Sequence, residues 1–192
     1  TAFWFLTQQL DSHIVIYDNL STGFEENYAY IAKVFGDRVR FVKGDVGDTH
    51  TLSSLMAQEQ FDAIVHFAAS LIVSESVTLP LTYYKNNTLN TTLLIELCIK
   101  HNINTFIFSS TAAVYGEPDA SLVPVQENAP LAPINPYGAS KMMSERVLMD
   151  THRAYPQFNY AILRYFNVAG ASSANTLELL ESAQGLGQRS KN

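Results

Sequence analysis

The stretch Thr105–Thr111, TFIFSST, decides the fold. Its first four residues form an apolar run with the length and composition of a buried strand, and its last three carry hydroxyl groups. Similar runs occur earlier at His13–Tyr17 (HIVIY), Val39–Val42 (VRFV) and Ala63–Phe67 (AIVHF), and another follows at Tyr160–Phe166 (YAILRYF). The sequence therefore predicts a series of short strands.

Segments with helical periodicity separate these strands. They lie at about residues 24–36, 49–60, 80–101 and 137–154, and the first ten residues read as part of a helix that lacks its cap. Strands that alternate with helices of about ten or more residues indicate repeated βαβ units, which the right-handed crossover rule turns into a parallel sheet with helices on both faces. We therefore predict a doubly wound α/β fold of the Rossmann type.

The composition argues against several classes of function. The 192 residues carry a formal net charge of −6, which disfavours nucleic acid as a partner. No apolar run approaches the roughly 18 residues that span a membrane. The lone cysteine, Cys98, cannot form an internal disulfide and suits the core of a cytoplasmic protein. The five histidines show no metal-ligand spacing, so we predict no metal site and interpret His66 as a core residue.

In a doubly wound sheet the ligand lies beyond the carboxyl ends of the strands. The residues at these ends are small, hydroxylic or acidic, as a crevice for a polyhydroxylated ligand requires: Asp18-Asn19, Gly44-Asp45-Val46, Ala68-Ala69-Ser70 and Ser109-Ser110-Thr111. The long segment from Gly116 to Pro136 contains five prolines and is interpreted as a functional loop.

Asp18 has two interpretations that its position leaves equally open. A carboxylate at this strand end can accept hydrogen bonds from both ribose hydroxyls of adenosine and disfavours a 2′-phosphate, which indicates NAD rather than NADP. The same residue can instead cap a turn or a helix. The glycine-rich phosphate loop that should precede Asp18 is absent, so we expect the fold to be incomplete at its N-terminus.

Two further pairs of residues are ambiguous. Asp45 and Val46 can border an adenine ring, or belong to a turn before a helix capped by Asp48 or Thr49. Asn86 and Asn87 fall inside an otherwise apolar helix. A buried amide without partners costs roughly 1 to 3 kcal/mol, so this pair indicates a ligand contact or a buried polar network.

The stretch NPYGASK, residues 135–141, places a tyrosine and a lysine four residues apart behind a proline that suits a helix start. Residues i and i+4 project from the same helix face, so Tyr137 and Lys141 are predicted to be neighbours. A free phenol has a pKa near 10, but a nearby ammonium and a positively charged nicotinamide favour the phenolate, which can act as a base. Such a pair is usually a solvated helix face; the hydroxyl cluster at residues 109–111 makes the combination more specific.

Several motifs occur in order and together resemble the UDP-glucose 4-epimerases, a group of extended short-chain dehydrogenases/reductases: DNLSTG, GDV, HFAA, YYKNNTLNT, FIFSSTAAVYGE, NPYGASK and RYFNVAGA. The resemblance runs from about residue 1 to 171, and RYFNVAGA favours epimerases over other members. It implies an isomerase with tightly held NAD that interconverts UDP-glucose and UDP-galactose.

The resemblance also implies a role for each matching position. Tyr137 is the implied base, Lys141 its electrostatic partner and Thr111 the hydroxyl residue on the sugar. The base takes the proton of the 4-hydroxyl while a hydride passes to NAD, and the ketose presents its other face before the hydride returns. The implied substrate contacts are Thr111, Tyr137 and Asn167. The implied cofactor contacts are Asp18, Asn19, Leu20, Ser21, Thr22, Gly23, Asp45, Val46, Phe67, Ala68, Ala69, Ser70, Asn86, Ser109, Tyr137, Lys141 and Phe166.

Parts of the family pattern are absent, namely the first strand with its Gly-rich loop and most of the substrate domain. Residues 1–171 are therefore expected to be a partial NAD-binding domain, and 172–192 the start of a substrate-binding region. Because the absent strand belongs in the middle of the sheet, its neighbours are expected to expose unpaired edges, and the isolated chain to fold poorly and be inactive. Leu71 also replaces a lysine of some members. The full-length protein is expected to be a homodimer through the helices at about 80–101 and 137–154.

Two alternatives stay open. Sugar-nucleotide dehydratases and decarboxylases share the Tyr/Lys pair, but dehydratases need Asp-Glu directly after the hydroxyl residue, where this chain has Ala112 and Ala113. A non-catalytic dinucleotide sensor can use the same fold. The presence of Tyr137, Lys141 and Thr111 together argues against such a sensor.

Overall fold

The computed structural model describes residues 1–167, which form two compact units divided between Asp45 and Val46. The first unit contains helix α1 (Ala2–Gln8), strand β1 (Ile14–Asp18), helix α2 (Glu25–Phe35) and strand β2 (Val39–Lys43). The strands β1 and β2 are parallel, in a register that pairs Ile14 with Val39 and Asp18 with Lys43. A parallel pair joined by a helix is one βαβ unit.

Arg38 binds backbone carbonyl groups at and after the carboxyl end of α1. Its guanidinium donates hydrogen bonds to the carbonyl oxygens of Leu6, Gln9 and Ser12, at 3.0, 2.5 and 3.1 Å. The last carbonyls of a helix have no intrahelical partner, so the five donors of an arginine suit this position. The contact fastens α1 to the start of β2.

The second unit contains a parallel sheet in the order β3-β4-β5, with β3 (Ile64–His66), β4 (Thr105–Thr111) and β5 (Asn159–Tyr165). Its helices are α3 (Thr49–Gln58), α4 (Val73–Thr78), α5 (Pro80–Tyr83), α6 (Asn90–Lys100) and α7 (Pro136–Ala154), and a π-helical turn, Tyr84–Leu89, joins α5 to α6. The predicted α/β class with parallel sheets is therefore confirmed.

One face of this sheet forms the core of the second unit. Phe106 and Phe108 are fully buried, and the Phe106 ring centroid lies 6.1 Å from that of Phe158. On the opposite face, Val65 is 48% exposed and Leu163 is 37% exposed. Successive side chains of a strand point to opposite faces, which explains the alternation.

His66 is a core histidine, as predicted. It is buried, and its Nε2 lies 2.9 Å from the hydroxyl of Thr91. Burial, together with the charge of Lys141, lowers the pKa of His66 to about 3. The imidazole is therefore neutral at physiological pH and fills the core without a counter-ion.

The predicted elements lie close to the observed ones, with three differences. Strand β4 extends through Thr111, because its last three residues pair with β5. The helix predicted at 80–101 is divided by the π turn, and α4 was not predicted. The predicted domain boundary after residue 171 lies outside the described residues. Within residues 1–167, no helix is both long and apolar enough to cross a bilayer.

Candidate active site

The carboxyl end of β4 carries the predicted hydroxyl residues. Thr111 lies opposite Tyr165 of β5, and its Oγ1 accepts a hydrogen bond from the backbone N–H of Ala113 at 3.1 Å. This bond caps the 3-10 turn Ala112–Tyr115 that follows the strand. Thr111 is therefore fixed at the sheet edge where this fold binds its ligand.

Helix α7 begins against this turn. Asn135 is the N-cap, and its Oδ1 accepts a hydrogen bond from the backbone N–H of Gly138 at 2.8 Å. Pro136 occupies the first helical turn, as predicted. Position 138 requires glycine, because a Cβ there would lie 2.6 Å from the carbonyl oxygen of Ala113. The start of the helix and the turn are therefore in backbone contact.

Lys141 is the buried cation of this region. It is only 3% exposed, its Nζ donates a hydrogen bond to the carbonyl oxygen of Ser109 at 2.9 Å, and it lies 4.9 Å from the centroid of the Phe108 ring. Burial lowers the pKa of Lys141 to about 8. The side chain thus remains mostly protonated at pH 7. A positive charge is held one helical turn from Tyr137, at the end of β4.

Tyr137 is half-buried, and a second tyrosine supports its ring. The ring centroid of Tyr83 lies 6.4 Å away in an edge-to-face arrangement. The hydroxyl of Tyr83 lies 2.7 Å from the carbonyl oxygen of Ile72 and 2.7 Å from the carboxylate of Glu75. Burial, with a smaller effect of Glu75, raises the pKa of Tyr83 to about 12. Tyr83 is therefore a neutral phenol at physiological pH.

The paired asparagines of the π turn form the buried polar network that the sequence left as one alternative. Asn87 is 1% exposed; its Oδ1 accepts from the Ser70 backbone N–H at 2.8 Å, and its Nδ2 donates to the Ser70 carbonyl at 2.9 Å and to the Ser140 hydroxyl at 3.0 Å. Asn86 donates to the hydroxyl of Ser70 at 3.0 Å. This network ties the segment after β3 to α7, next to Lys141.

In the first unit, Asp18 and Asp45 are linked through Asn19. Oδ1 of Asp18 accepts from the backbone N–H of Leu20 at 2.6 Å, so the turn-capping interpretation of Asp18 holds. Nδ2 of Asn19 donates to the Asp45 carboxylate at 2.7 Å. Leu20 has a φ of +59°, which belongs to this tight turn. A contact of these residues with adenosine stays a prediction.

The remaining predicted residues lie on loops after the strands. Phe67 is 48% exposed and follows β3, with Ala68 and Ala69 after it. Phe166 is 66% exposed and, with Asn167, follows β5. The other predicted cofactor residues, Ser21, Thr22, Gly23 and Val46, lie in the loops after β1 and β2.

The sequence of the chain matches the model of one protein family. The NAD dependent epimerase/dehydratase family matches residues 5–182, a range that includes Thr111, Tyr137 and Lys141. The chain belongs to the NAD-dependent epimerase/dehydratase family. The family model confirms, at the level of the family, the predicted resemblance to the UDP-glucose 4-epimerases.

Individual relatives in this epimerase/dehydratase family support the assignment. A UDP-glucose 4-epimerase of Azospirillum brasilense is 46% identical over 160 residues, which is 83% of this chain and 43% of the relative. The solved UDP-Glc/GlcNAc 4-epimerase of Campylobacter jejuni has 50% identity and a TM-score of 0.82 over 92% of this chain and 52% of that one. The UDP-glucose 4-epimerase of Bifidobacterium longum, in complex with NAD+ and UDP, has 34% identity and a TM-score of 0.80 over 86% and 48%. The chain thus spans about half the length of these relatives.

The sequence analysis did not predict the buried ion pair between Glu145 and Arg164. Glu145 of α7 is fully buried and pairs with Arg164 of β5, with 2.7 Å between Nη2 and Oε2. A signal was available, because Glu145 follows Lys141 by four residues and shares its helix face. An arginine inside the apolar run of β5 was the second signal.

Proposed function

We propose that the full-length protein is an isomerase that interconverts UDP-glucose and UDP-galactose by oxidation and re-reduction at carbon 4 of the sugar. One observation carries the proposal: the buried ammonium of Lys141 is held by the end of β4, one helical turn from Tyr137 and two residues along the strand from Thr111. A phenol near a cation can act as the base of an alcohol oxidation, and an aliphatic hydroxyl can bind the alcohol oxygen, while the cofactor takes the hydride. The similarity to UDP-glucose 4-epimerases of known structure supports the substrate.

The residues present fit NAD as the cofactor. Lys141 has three donor hydrogens, and the hydrogen bond to Ser109 uses one of them, so the others can reach a ribose hydroxyl. Asp18 keeps Oδ1 on the Leu20 amide, and its second oxygen can accept from the adenosine ribose. The segment after β3, with Asn86 nearby, would border the pyrophosphate and ribose region. When bound, NAD accepts a hydride from carbon 4 and returns it.

The chain's own residues control the proton of the reaction. Lys141, one helical turn from Tyr137, would supply the positive charge that favours the phenolate in the reaction. The phenolate removes the proton of the 4-hydroxyl, and Thr111 binds the same oxygen and orients it. The proton returns to the oxygen on carbon 4 when the ketose, presenting its opposite face, is reduced. Asn167, after β5, would contact the diphosphate of the substrate.

A dehydratase is the alternative within the family. Elimination of water needs a second acid and base directly after the hydroxyl residue. Ala112 and Ala113 occupy those positions at the start of the 3-10 turn and carry no ionisable group. The epimerase reaction needs no further carboxylate there, so it suits these residues better.

The test is incubation of the full-length protein with UDP-galactose and no added cofactor. We expect UDP-glucose to form until the two sugars reach equilibrium, because a tightly held NAD is regenerated in each cycle. Product analysis by ion-pair chromatography separates the outcomes. A dehydrated keto sugar would identify a dehydratase. Stoichiometric bound NAD without turnover would identify a sensor, and either result would contradict the proposal.

A homodimer through α6 and α7 is part of the proposal. A groove of about 480 Å³ runs between these helices and is lined by Ile95, Ile99 and Lys100 of α6 and by Val147 and Thr151 of α7. Apolar side chains flanked by polar ones suit a second copy of the same helix pair. Val147→Glu is expected to give a monomer by light scattering, whereas Lys33→Glu on α2 leaves the dimer intact. A wild-type monomer at micromolar concentration would refute this interface.

A cytoplasmic location is also proposed, on the basis of the free and buried thiol of Cys98. Cell fractionation with an antibody against the protein tests it, and recovery in a secreted fraction would overturn it.

A further inference from the structure

We propose that Glu145 is a positioning residue that sets the place of Tyr137 and Lys141 relative to Thr111. This inference rests on the proposed function, because it concerns the geometry of the same site. Its basis is a set of contacts that joins α7, β4 and β5 through one buried carboxylate.

Glu145 binds both neighbouring strands at once. The hydroxyl of Ser110 in β4 donates a hydrogen bond to its Oε1. Arg164 of β5 donates from Nε to Oε1 at 3.0 Å and from Nη2 to Oε2 at 2.7 Å. Ser110 and Arg164 are direct partners in the sheet register. One carboxylate therefore bridges the two strands from the helix that covers them.

These contacts involve residues that are adjacent, in β4 and α7, to those of the candidate active site. Ser110 stands between Ser109, whose carbonyl oxygen accepts from Lys141, and Thr111. Glu145 follows Lys141 by one helical turn on the same face of α7. Lys141 and Glu145, which are one turn apart in α7, thus bind the consecutive residues Ser109 and Ser110 of β4. A shift of α7 along the strand would break both attachments, and it would move Tyr137 relative to Thr111.

Arg164 extends the attachment to the segments that follow Thr111. Its Nη1 donates to the hydroxyl of Tyr115 at 2.9 Å and to the carbonyl oxygen of Glu127 at 2.9 Å. Tyr115 ends the 3-10 turn after β4, and Glu127 lies in the long loop before α7. Glu145 therefore determines, through Arg164, where the turn and the loop lie.

The Glu145–Arg164 ion pair is better explained by its effect on the geometry of the site than by a contribution to the stability of the fold. A buried ion pair often contributes no more net stability than apolar residues of the same size, and its best-attested use is to fix register. Here the planar guanidinium forms bonds in fixed directions to three separate segments. Apolar side chains could fill this volume but could not specify those directions.

The test uses Glu145→Gln in the full-length protein. The neutral amide keeps the shape but not the charge, so Arg164 loses its counter-ion and α7 its fixed position. We expect kcat to fall by about 10- to 100-fold, with little change in KM for UDP-galactose, because small misplacements of catalytic groups reduce the rate this much. The acid limb of the pH–rate profile should also move to higher pH, since the ammonium of Lys141 would shift relative to Tyr137.

Two further variants keep the test decisive. Ser110→Ala removes a single contact of Glu145, and it should lower kcat in the same direction even if Glu145→Gln does not fold. Arg146→Gln is the matched control, because the neighbouring Arg146–Asp150 pair is exposed. A lower melting temperature with unchanged kcat and pH profile in the Glu145 and Ser110 variants would overturn the positioning role. It would leave the proposed function intact, which the UDP-galactose assay tests separately with the wild-type protein.

Discussion

Tyr137→Phe in the full-length protein is expected to lower kcat for UDP-galactose by about 10²- to 10⁴-fold, which is the usual contribution of a general base. The substitution removes only the hydroxyl. The ring still packs edge-to-face on Tyr83, so the helix start and the cofactor contacts are retained. Bound NAD, measured by absorbance after denaturation, should therefore equal that of the wild type.

The control is Tyr155→Phe at the other end of α7, where the side chain is 44% exposed. It loses the same hydroxyl at the far end of the helix, and it should keep the wild-type rate. If Tyr137→Phe also retains that rate, the base is another residue. If it loses NAD together with activity, its effect is structural.

Lys141→Met is expected to lower kcat at pH 7 by about 10²-fold or more and to shift the acid limb of the rate profile upward. Without the ammonium, the positive charge one helical turn from Tyr137 is lost, so part of the activity should return at alkaline pH. Methionine fills a similar volume, and NAD content is the measure of the intact site. Lys33→Met, on the surface of α2, is the control.

The same variant should change how stability depends on pH. Burial lowers the pKa of Lys141 from 10.5 to about 8, so the folded state releases this proton first. Between pH 8 and pH 10.5 the unfolded chain binds more protons, and the contribution of Lys141 to the free energy of unfolding rises with pH, by up to about 3 kcal/mol. Denaturant titrations should show this rise in the wild type and not in Lys141→Met. Equal slopes in both proteins would mean that Lys141 is not buried as a cation.

The sequence predicted the elements because their periodicity is strong. Apolar runs such as residues 106–108 and 160–163 are short and have no helical periodicity, and α7 begins with an asparagine cap followed by proline. The end of β4 was harder to predict, because Ser109–Thr111 are polar residues whose strand conformation depends on pairing with β5. Local propensity contains no information about that partner.

The sequence could predict the part of the candidate site that depends on spacing along one helix, namely the pair Tyr137 and Lys141. The ion pair of Glu145 and Arg164 depends on contacts between residues 19 positions apart. Asn87 was recognised as polar and buried, but its partners Ser70 and Ser140 come from two other segments. Such long-range pairings require the fold to be known first.

The close approach at Gly138 has a consequence for how this enzyme family can vary. The gap between the start of α7 and the turn that follows Thr111 is set by main-chain atoms on both sides, because a Cβ at position 138 would lie 2.6 Å from the carbonyl oxygen of Ala113. Side chains around this contact can therefore change without widening the gap. Any side chain at position 138 would instead have to push the two segments apart.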